Sequence, residues 1–463
     1  MEPAESPARE LPAWQRLQQL AGVDAAFLIA LMARVTPTIG LLLTTYLIGT
    51  RFPKVEQGFF YSFVSLLSLQ VFVELGIGQV IVQFSAHEFA HLSFDRHRGF
   101  SGEPTALSRL ISIARFAGVW FGGGAVLLVV ILGVVGYVSF SGHASASWAG
   151  PWLTLCLASA FSLALLPVQL LLEGCNQLRT LYSLKTAQLL CNQAGLCVAI
   201  ILGGGLWSNA IGVFCGAACV ILAGIGPLRR FYLPFFSQKP ASRLHWGREL
   251  WPMQWRVAIS SASAYFAYSV VTPLAFRLIG PVIAGQLGMS LTLIDAMTSV
   301  ACLPVALKRP SMAMAVAHRD YQGLNNIVFR STFAALLLWC CGAAALIGGV
   351  YLLHLNGVPF AERLLPLPLF MLWLLPSMQS PGAGVPMLAY TRAHKQEPFM
   401  WSIAVYSLLA FGGYIISGHY YGVVGMAVVN IIALSITTPV QFAILMSARR
   451  RWHMPSGAAN ESA

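Results

Sequence analysis

Six charged side chains interrupt runs of sequence that are otherwise apolar: Arg34, Glu74, Arg115, Lys185, Arg256 and Asp295. A charge at mid-membrane costs at least about 2.5–3.5 kcal/mol, so each needs a partner, a cavity or a route to the headgroups. Arg34 lies deepest among the cations, about 13 Å into its run at a rise of 1.5 Å per residue. Arginines at one end of a water-filled cavity would attract a diphosphate, because guanidinium binds phosphate oxygens bidentately. The competing chemistry is internal pairing, for instance Arg34 with Glu74. Arg115, Lys185 and Arg256 enter their runs by a turn or two and can instead snorkel to the membrane surface. Asp295 can bind a coupling cation or proton, or hydrogen-bond a neighbouring helix.

Other chemistry-bearing residues point to less. His87-Glu88-Phe89-Ala90-His91 matches the H-E-x-x-H pattern of zinc proteases. A third ligand is hard to find in this charged segment, and a solvated helix end is expected. The nine cysteines lie in or at the ends of apolar runs with no C-x-x-C, where cysteine behaves as a small hydrophobe. No metal, disulfide or cofactor is expected.

The elements that must carry these residues are membrane helices. Hydrophobic residues make up 57% of the 463, charged residues 10%, and mean hydropathy is +0.71. A spanning helix needs roughly 20 mostly apolar residues. Such runs fall at 25–49, 58–84, 109–138, 149–173, 181–203, 207–227, 251–279, 282–306, 327–353, 365–390, 398–418 and 421–447. With these twelve spans, 23 of the 28 Lys and Arg residues fall on one side, four on the other, and Arg34 within a span. Cytoplasmic loops attract Lys and Arg, so both termini are predicted to be cytoplasmic. The net charge of +12 is thereby explained by topology rather than by nucleic acid, for which no soluble stretch is long enough.

The longest basic loop, 228–250, divides the chain into two sets of six spans: an N-lobe over 25–227 and a C-lobe over 251–447. Residues 1–24 read as a cytoplasmic amphipathic segment, and 448–463 as a basic, then disordered, tail. Polar punctuation recurs between the halves. Tyr46-Leu-Ile-Gly49 and Arg277-Leu-Ile-Gly280 each precede a proline and then a cluster of Gln and Gly: Glu56-Gln57-Gly58 in one, Ala284-Gly285-Gln286-Leu287-Gly288 in the other. Six spans between copies give both halves the same orientation, as in transporters built from parallel repeats. Prolines concentrate in particular spans, with Pro37 in the first, Pro167 in the fourth, Pro273 in the seventh and Pro376, Pro381 and Pro386 in the tenth. Each frees a helix carbonyl, which lipid cannot satisfy but a neighbour or water can.

Several segments resemble a known family. Gln254-Trp-Arg-Val-Ala-Ile-Ser260, Gly280-Pro-Val-Ile-Ala-Gly-Gln-Leu-Gly-Met-Ser-Leu291, Lys308-Arg-Pro310, Asp320-Tyr-Gln-Gly-Leu324 and Val73-Glu-Leu-Gly-Ile-Gly-Gln-Val-Ile-Val-Gln-Phe84 resemble the Wzx-like polysaccharide and O-antigen flippases. These form the polysaccharide transport branch of the multidrug/oligosaccharidyl-lipid/polysaccharide (MOP) exporter superfamily. The resemblance implies an all-α polytopic protein of the bacterial inner membrane, with two six-helix lobes and alternating access. Its implied cargo is an undecaprenyl-diphosphate-linked oligosaccharide for lipopolysaccharide or exopolysaccharide biosynthesis. The implied partners are membrane lipids, a polymerase and glycosyltransferases. Arg34 and Arg256 match the family's cavity cations by position, with Lys185 and Arg115 as further candidates. Span one reads Ala33-Arg34-Val35 and lacks the serine-arginine motif of the lipid II flippase branch, so a peptidoglycan role is not carried over.

Two other classes compete. A proton- or sodium-coupled exporter of drugs or metabolites would share the fold, but should show cavity acids; Glu74 and Asp295 are the deep ones. A membrane enzyme would need an acid and histidine cluster at one face. The outer loops offer only Glu56 and Glu362 with the scattered His143, His354 and His419.

Overall fold

The computed structural model describes residues 39–95, 99–142, 147–237, 265–394 and 398–452, with 255, 258–259, 262–263 and 396. Arg34, Pro37, Arg256, the N-terminal segment 1–24, most of the first span and most of 238–264 lie outside the described residues. The described chain is almost entirely helical. Helix α1 covers 39–51; α2 (Lys54–Leu67), a 3-10 turn and α3 (Val71–Glu74) lead to α4 (Ile77–Phe89). Then follow α5 (Pro104–Phe140), α6 (Ala149–Ala164), α7 (Leu166–Gly174), α8 (Leu178–Ile201), α9 (Trp207–Ile225) and α10 (Arg229–Ser237). The second half holds α11 (Val271–Leu278), α12 (Pro281–Ala301), α13 (Leu303–Ala317), α14 (Tyr321–Leu355), α15 (Leu367–Ser377), α16 (Val385–Ala393) and α17 (Met400–Trp452).

Seven of these helical runs are long and apolar enough to cross a membrane, and an eighth is made by Lys54–Glu74 with Ile77–Phe89, bent by 49°. The sequence reading counted twelve. Most of the first expected span, and most of the seventh before Tyr265, lie outside the described residues, and the rest of the difference lies where helices break or merge. The tenth expected span is cut at its prolines into α15, a π turn at Ser380–Gly384 and α16, each too short to cross alone. The last two form one run broken at Gly422, whose φ of 61° only glycine adopts without strain. Several helices outrun their apolar stretches. The run α12–α13 continues to Ala317, past the expected end at 306, because hydropathy marks only the part in hydrocarbon while good helix formers carry the ladder onward.

The all-α expectation is corrected in one place. Within the charged segment 85–108, strands Leu92–Asp95 and Gly99–Gly102 pair antiparallel, Phe94 opposite Phe100. Alternating Ser and Phe gives the hairpin one apolar face, and Gly99 and Gly102 take positive φ. That face receives α10, which the sequence reading placed in a loop. Phe231 packs edge-on against Phe94 and tilted against Phe100, at centroid distances of 5.1 and 5.2 Å, and Tyr232 Oη donates to Val168 O at 2.7 Å. The basic tail is helical through Trp452, with Arg449, Arg450 and Arg451 in the last turn, where the helix dipole favours cations.

The central core joins the halves through aromatic rings. Phe59 and Phe140 lie 4.8 and 5.1 Å from Phe276 of the second half, and Phe63 lies 4.8 Å from Trp152. The Trp152 indole donates to Leu132 O at 3.1 Å and lies over Gly136, where a Cβ would sit 1.9 Å from Nε1. Lipid tails give helices no hydrophobic drive to associate, so such close packing and small residues hold them together.

Candidate functional site

Three features of the fold stand out: a seal between the halves, a groove in the first half, and a pocket in the second.

The seal is built from the two sequence-related Gln-Gly clusters. Gly58 on α2 faces Pro281 at the start of α12, so closely that a Cβ would lie 1.9 Å from the Pro281 carbonyl oxygen. Gln57 Nε2 donates to Gly285 O and Arg363 O, both at 3.0 Å, while the Arg363 guanidinium reaches Gln57 Oε1 at 3.5 Å. Outside this layer Lys54 Nζ meets Glu362 Oε2 at 2.6 Å, and Gln286 donates to the Glu362 carbonyl at 2.9 Å. Lys54 holds the exposed Glu362 carboxyl below the ordinary glutamate range. Arg277 adds a contact to Val138 O, and the Tyr46 ring stacks on Phe360. The halves are therefore shut at this face.

The groove follows the bend in the second span. Leu75 and Gly76 both take left-handed conformations, φ 45° and 69°, which break the ladder between α3 and α4. A space of about 550 Å³ opens beside the break, lined by the polar Glu74, Gln79, Gln83 and Glu173 and by the apolar Val71, Val82, Leu166 and Leu170 among others. A second space of about 440 Å³, lined by Val64, Leu67, Gln70 and Glu74 among others, continues it along the same helix. Gln70 donates to Glu74, and Lys185 Nζ lies 3.5 Å from Glu173. The groove is amphipathic along its length.

The pocket lies in the second half and encloses about 540 Å³. Two π turns shape it. Tyr268 comes from the turn Tyr265–Ser269, and Ser380 opens the turn Ser380–Gly384. Such insertions leave helix carbonyls with altered partners and recur at functional sites. Asp295 projects from α12, about 21 Å along the helix from Pro281. Leu291, Asp295, Thr298 and Cys302 line the pocket at helical spacing. Tyr406 Oη donates to Asn430 Oδ1 at 2.7 Å, and Trp339 Nε1 to Ser377 Oγ at 3.0 Å.

The sequence-predicted residues thus separate. Asp295 is in the pocket and Glu74 in the groove. Lys185 is ion-paired with Glu173, and Arg115 stands on the exposed side of α5. Arg34 and Arg256 lie outside the described residues, and with Arg34 its pairing to Glu74. Glu88 of the H-E-x-x-H segment is not at a solvated end: it is 5% exposed and takes the Arg109 guanidinium at 3.1 Å, while His87 is exposed. Among the described residues no group of three or more His, Cys, Asp or Glu is placed to hold a metal. Sequence reasoning missed Tyr268, Trp373, Tyr406 and Asn430. Its available signal was the polar stripe Asp295, Thr298, Ser299, Cys302 on one helix face.

No family model and no curated protein matches this sequence. Solved structures do. The lipid II flippase MurJ in an inward closed conformation aligns at a TM-score of 0.61 and 15% identity, covering 91% of this chain and 87% of that one. The MATE multidrug transporter DinF-BH aligns at 0.58 and 13% identity, covering 98% and 100%. An inward-facing multidrug resistance MATE family transporter of the MOP superfamily aligns at 0.56 and 12% identity, covering 89% and 99%. The chain has the fold of the MOP-superfamily transporters, a multi-span membrane architecture.

Proposed function

We propose that this chain is a transporter of the bacterial inner membrane that turns a lipid-linked oligosaccharide, carried on a diphosphate, from the cytoplasmic to the outer leaflet. The observation that carries the reading is the groove along the second span, which puts polar and apolar side chains in one lining and has far more room than an ion needs. A lipid-linked glycan likewise combines polar and apolar parts. The fold is shared with a lipid II flippase, and the sequence resembles the Wzx-like branch. In this reading the chain has twelve spans in two six-helix lobes, 25–227 and 251–447, with both termini cytoplasmic. The break at Gly422 and the paired segments around Ser380–Gly384 account for spans that length alone does not count. Arg34 and Arg256 take the diphosphate, with Lys185 and Arg115 at the cytoplasmic approach. The lobes rock about the central aromatic core, and the Gln57–Gly285 seal opens to release cargo outward to a polymerase and its glycosyltransferases.

A second reading, an ion-coupled exporter of organic cations, is favoured by one observation: the described cavities are lined by the acids Glu74, Glu173 and Asp295. Deletion in the native host separates the two. The flippase reading expects lipid-linked glycan to accumulate on the cytoplasmic face. Unchanged glycan with raised sensitivity to organic cations would establish the exporter.

A further inference from the structure

The second-half pocket contains donors that no described residue satisfies. Trp373 is 4% exposed and Thr298 9% exposed; both line the pocket, and neither Trp373 Nε1 nor Thr298 Oγ1 has a hydrogen-bond partner among the described residues. A buried polar group left unpaired is costly, so such groups in a native site await a ligand or water. An indole N–H can only donate. It therefore calls for an acceptor oxygen and is left unsatisfied by a bare cation. Asp295, lining the same pocket, accepts when ionised. One wall gives protons and another takes them, which is what a hydroxyl needs, since it does both. Tyr268, Tyr406 and Tyr414 add ring faces, on which the C–H face of a sugar ring can rest. Among the described residues no Lys or Arg lines the pocket, so these walls offer no cation to neutralise a phosphate. At about 540 Å³ it falls within the size range of small-molecule sites.

We propose that this pocket seats one neutral sugar residue of the transported glycan, its hydroxyls donating to Asp295 and accepting from Trp373 Nε1 and Thr298. This rests on the flippase reading and places glycan recognition in the second half, apart from the groove. A chain carrying a glycan without a sugar that fits here would be bound less tightly and moved more slowly.

Cys302 lines the pocket and reports on it. Purified full-length protein in lipid nanodiscs is labelled with a small methanethiosulfonate, and the Cys302 peptide is read by mass spectrometry. The probes are the methyl glycosides of glucose, galactose and N-acetylglucosamine, and separately sodium chloride and tetramethylammonium chloride. Saturable protection by at least one glycoside is expected. Thr298→Val and Trp373→Phe should each weaken it about tenfold, the loss of one hydrogen bond, and Asp295→Asn by roughly ten- to a hundredfold. Thr298→Val and Trp373→Phe keep the packing, so protection is compared in variants whose melting matches the parent. Protection by sodium or tetramethylammonium without any glycoside would overturn the proposal, as would no protection by any probe, which would mean a water-filled pocket. Glycoside protection in a protein whose deletion leaves glycan export intact would keep the sugar site and sink the flippase reading.

Discussion

The groove and the pocket both lie beside interrupted helices, but the interruptions differ in kind. In the first half the interruption is a pair of left-handed residues, Leu75 and Gly76, and the two helix segments diverge by 49°. Divergence of that size opens a long cleft. In the second half the interruptions are π turns at Tyr265–Ser269 and Ser380–Gly384, which insert extra backbone into a helix. The two cavities differ in lining: the groove carries Glu74 and Glu173 among Gln and aliphatic residues, and the pocket carries Asp295 among Tyr, Trp, Ser and Thr. The seal between the halves is the part in which the related clusters still meet, Gln57-Gly58 against Gly285. A division of labour follows in the proposed reading: the groove passes an amphipathic cargo, the pocket reads a small part of it, and the seal decides when the path opens.

The largest predicted effect is at the seal. Gly58→Val puts a side chain into the Pro281 carbonyl. At a cost of about 3 kcal/mol for overpacking, the sealed state should fall roughly a hundredfold relative to the open one. Thiol labelling of a cysteine at Ser290, behind the seal, should rise accordingly; unchanged labelling would mean that the helices part elsewhere. Gln57→Ala removes hydrogen bonds to two carbonyls, about 1 kcal/mol each, and should shift the same labelling roughly thirtyfold.

The contrast between the cavities predicts unequal responses to charge removal. Asp295→Asn should lower glycan export about tenfold and at the same time raise the melting temperature, since an intramembrane charge is costly to bury. Glu74→Gln, in the open groove and already receiving Gln70, should lower export only about twofold, as for one partly solvated hydrogen bond. Equal losses would erase the distinction between groove and pocket. Gly76→Ala forces a Cβ into a left-handed position at about 1–2 kcal/mol and should reduce thermal stability and export together.

The smallest effect is pH-dependent. Lys54 depresses the Glu362 pKa only while the seal is shut, so their attraction is full above the ordinary glutamate range. It is lost as pH falls through the depressed value. Labelling behind the seal should therefore rise only in acid, and Glu362→Gln should abolish the rise. Because both side chains are exposed, salt should weaken the effect.

Much of this architecture was legible in the sequence. Runs such as 109–138 and 149–173 reappear as α5 and as α6 with α7, because a 20-residue apolar stretch has few alternatives in a bilayer. The two Gln-Gly clusters stood out in the sequence, but that they touch did not. The hairpin at 92–102 escaped because its residues were read for charge and not for the Ser-Phe alternation. The pocket escaped for a different reason. Its members come from five separate segments, and π turns leave no periodic signature; only the stripe on α12 was local.

The central claim is that cargo passes between the halves at the Lys54–Glu362 and Gln57–Gly285 seal. Lys54 and Glu362 meet through long side chains, so cysteines there need a short bifunctional thiol reagent rather than a direct disulfide. The double variant Lys54→Cys with Glu362→Cys, joined by a reducible cross-linker in membrane vesicles, is assayed for lipid-linked glycan reaching the outer leaflet. The account predicts that cross-linking stops transfer and that reduction restores it. Full transfer by protein shown to be cross-linked would contradict it, because the cargo would then be crossing without the halves parting at this face.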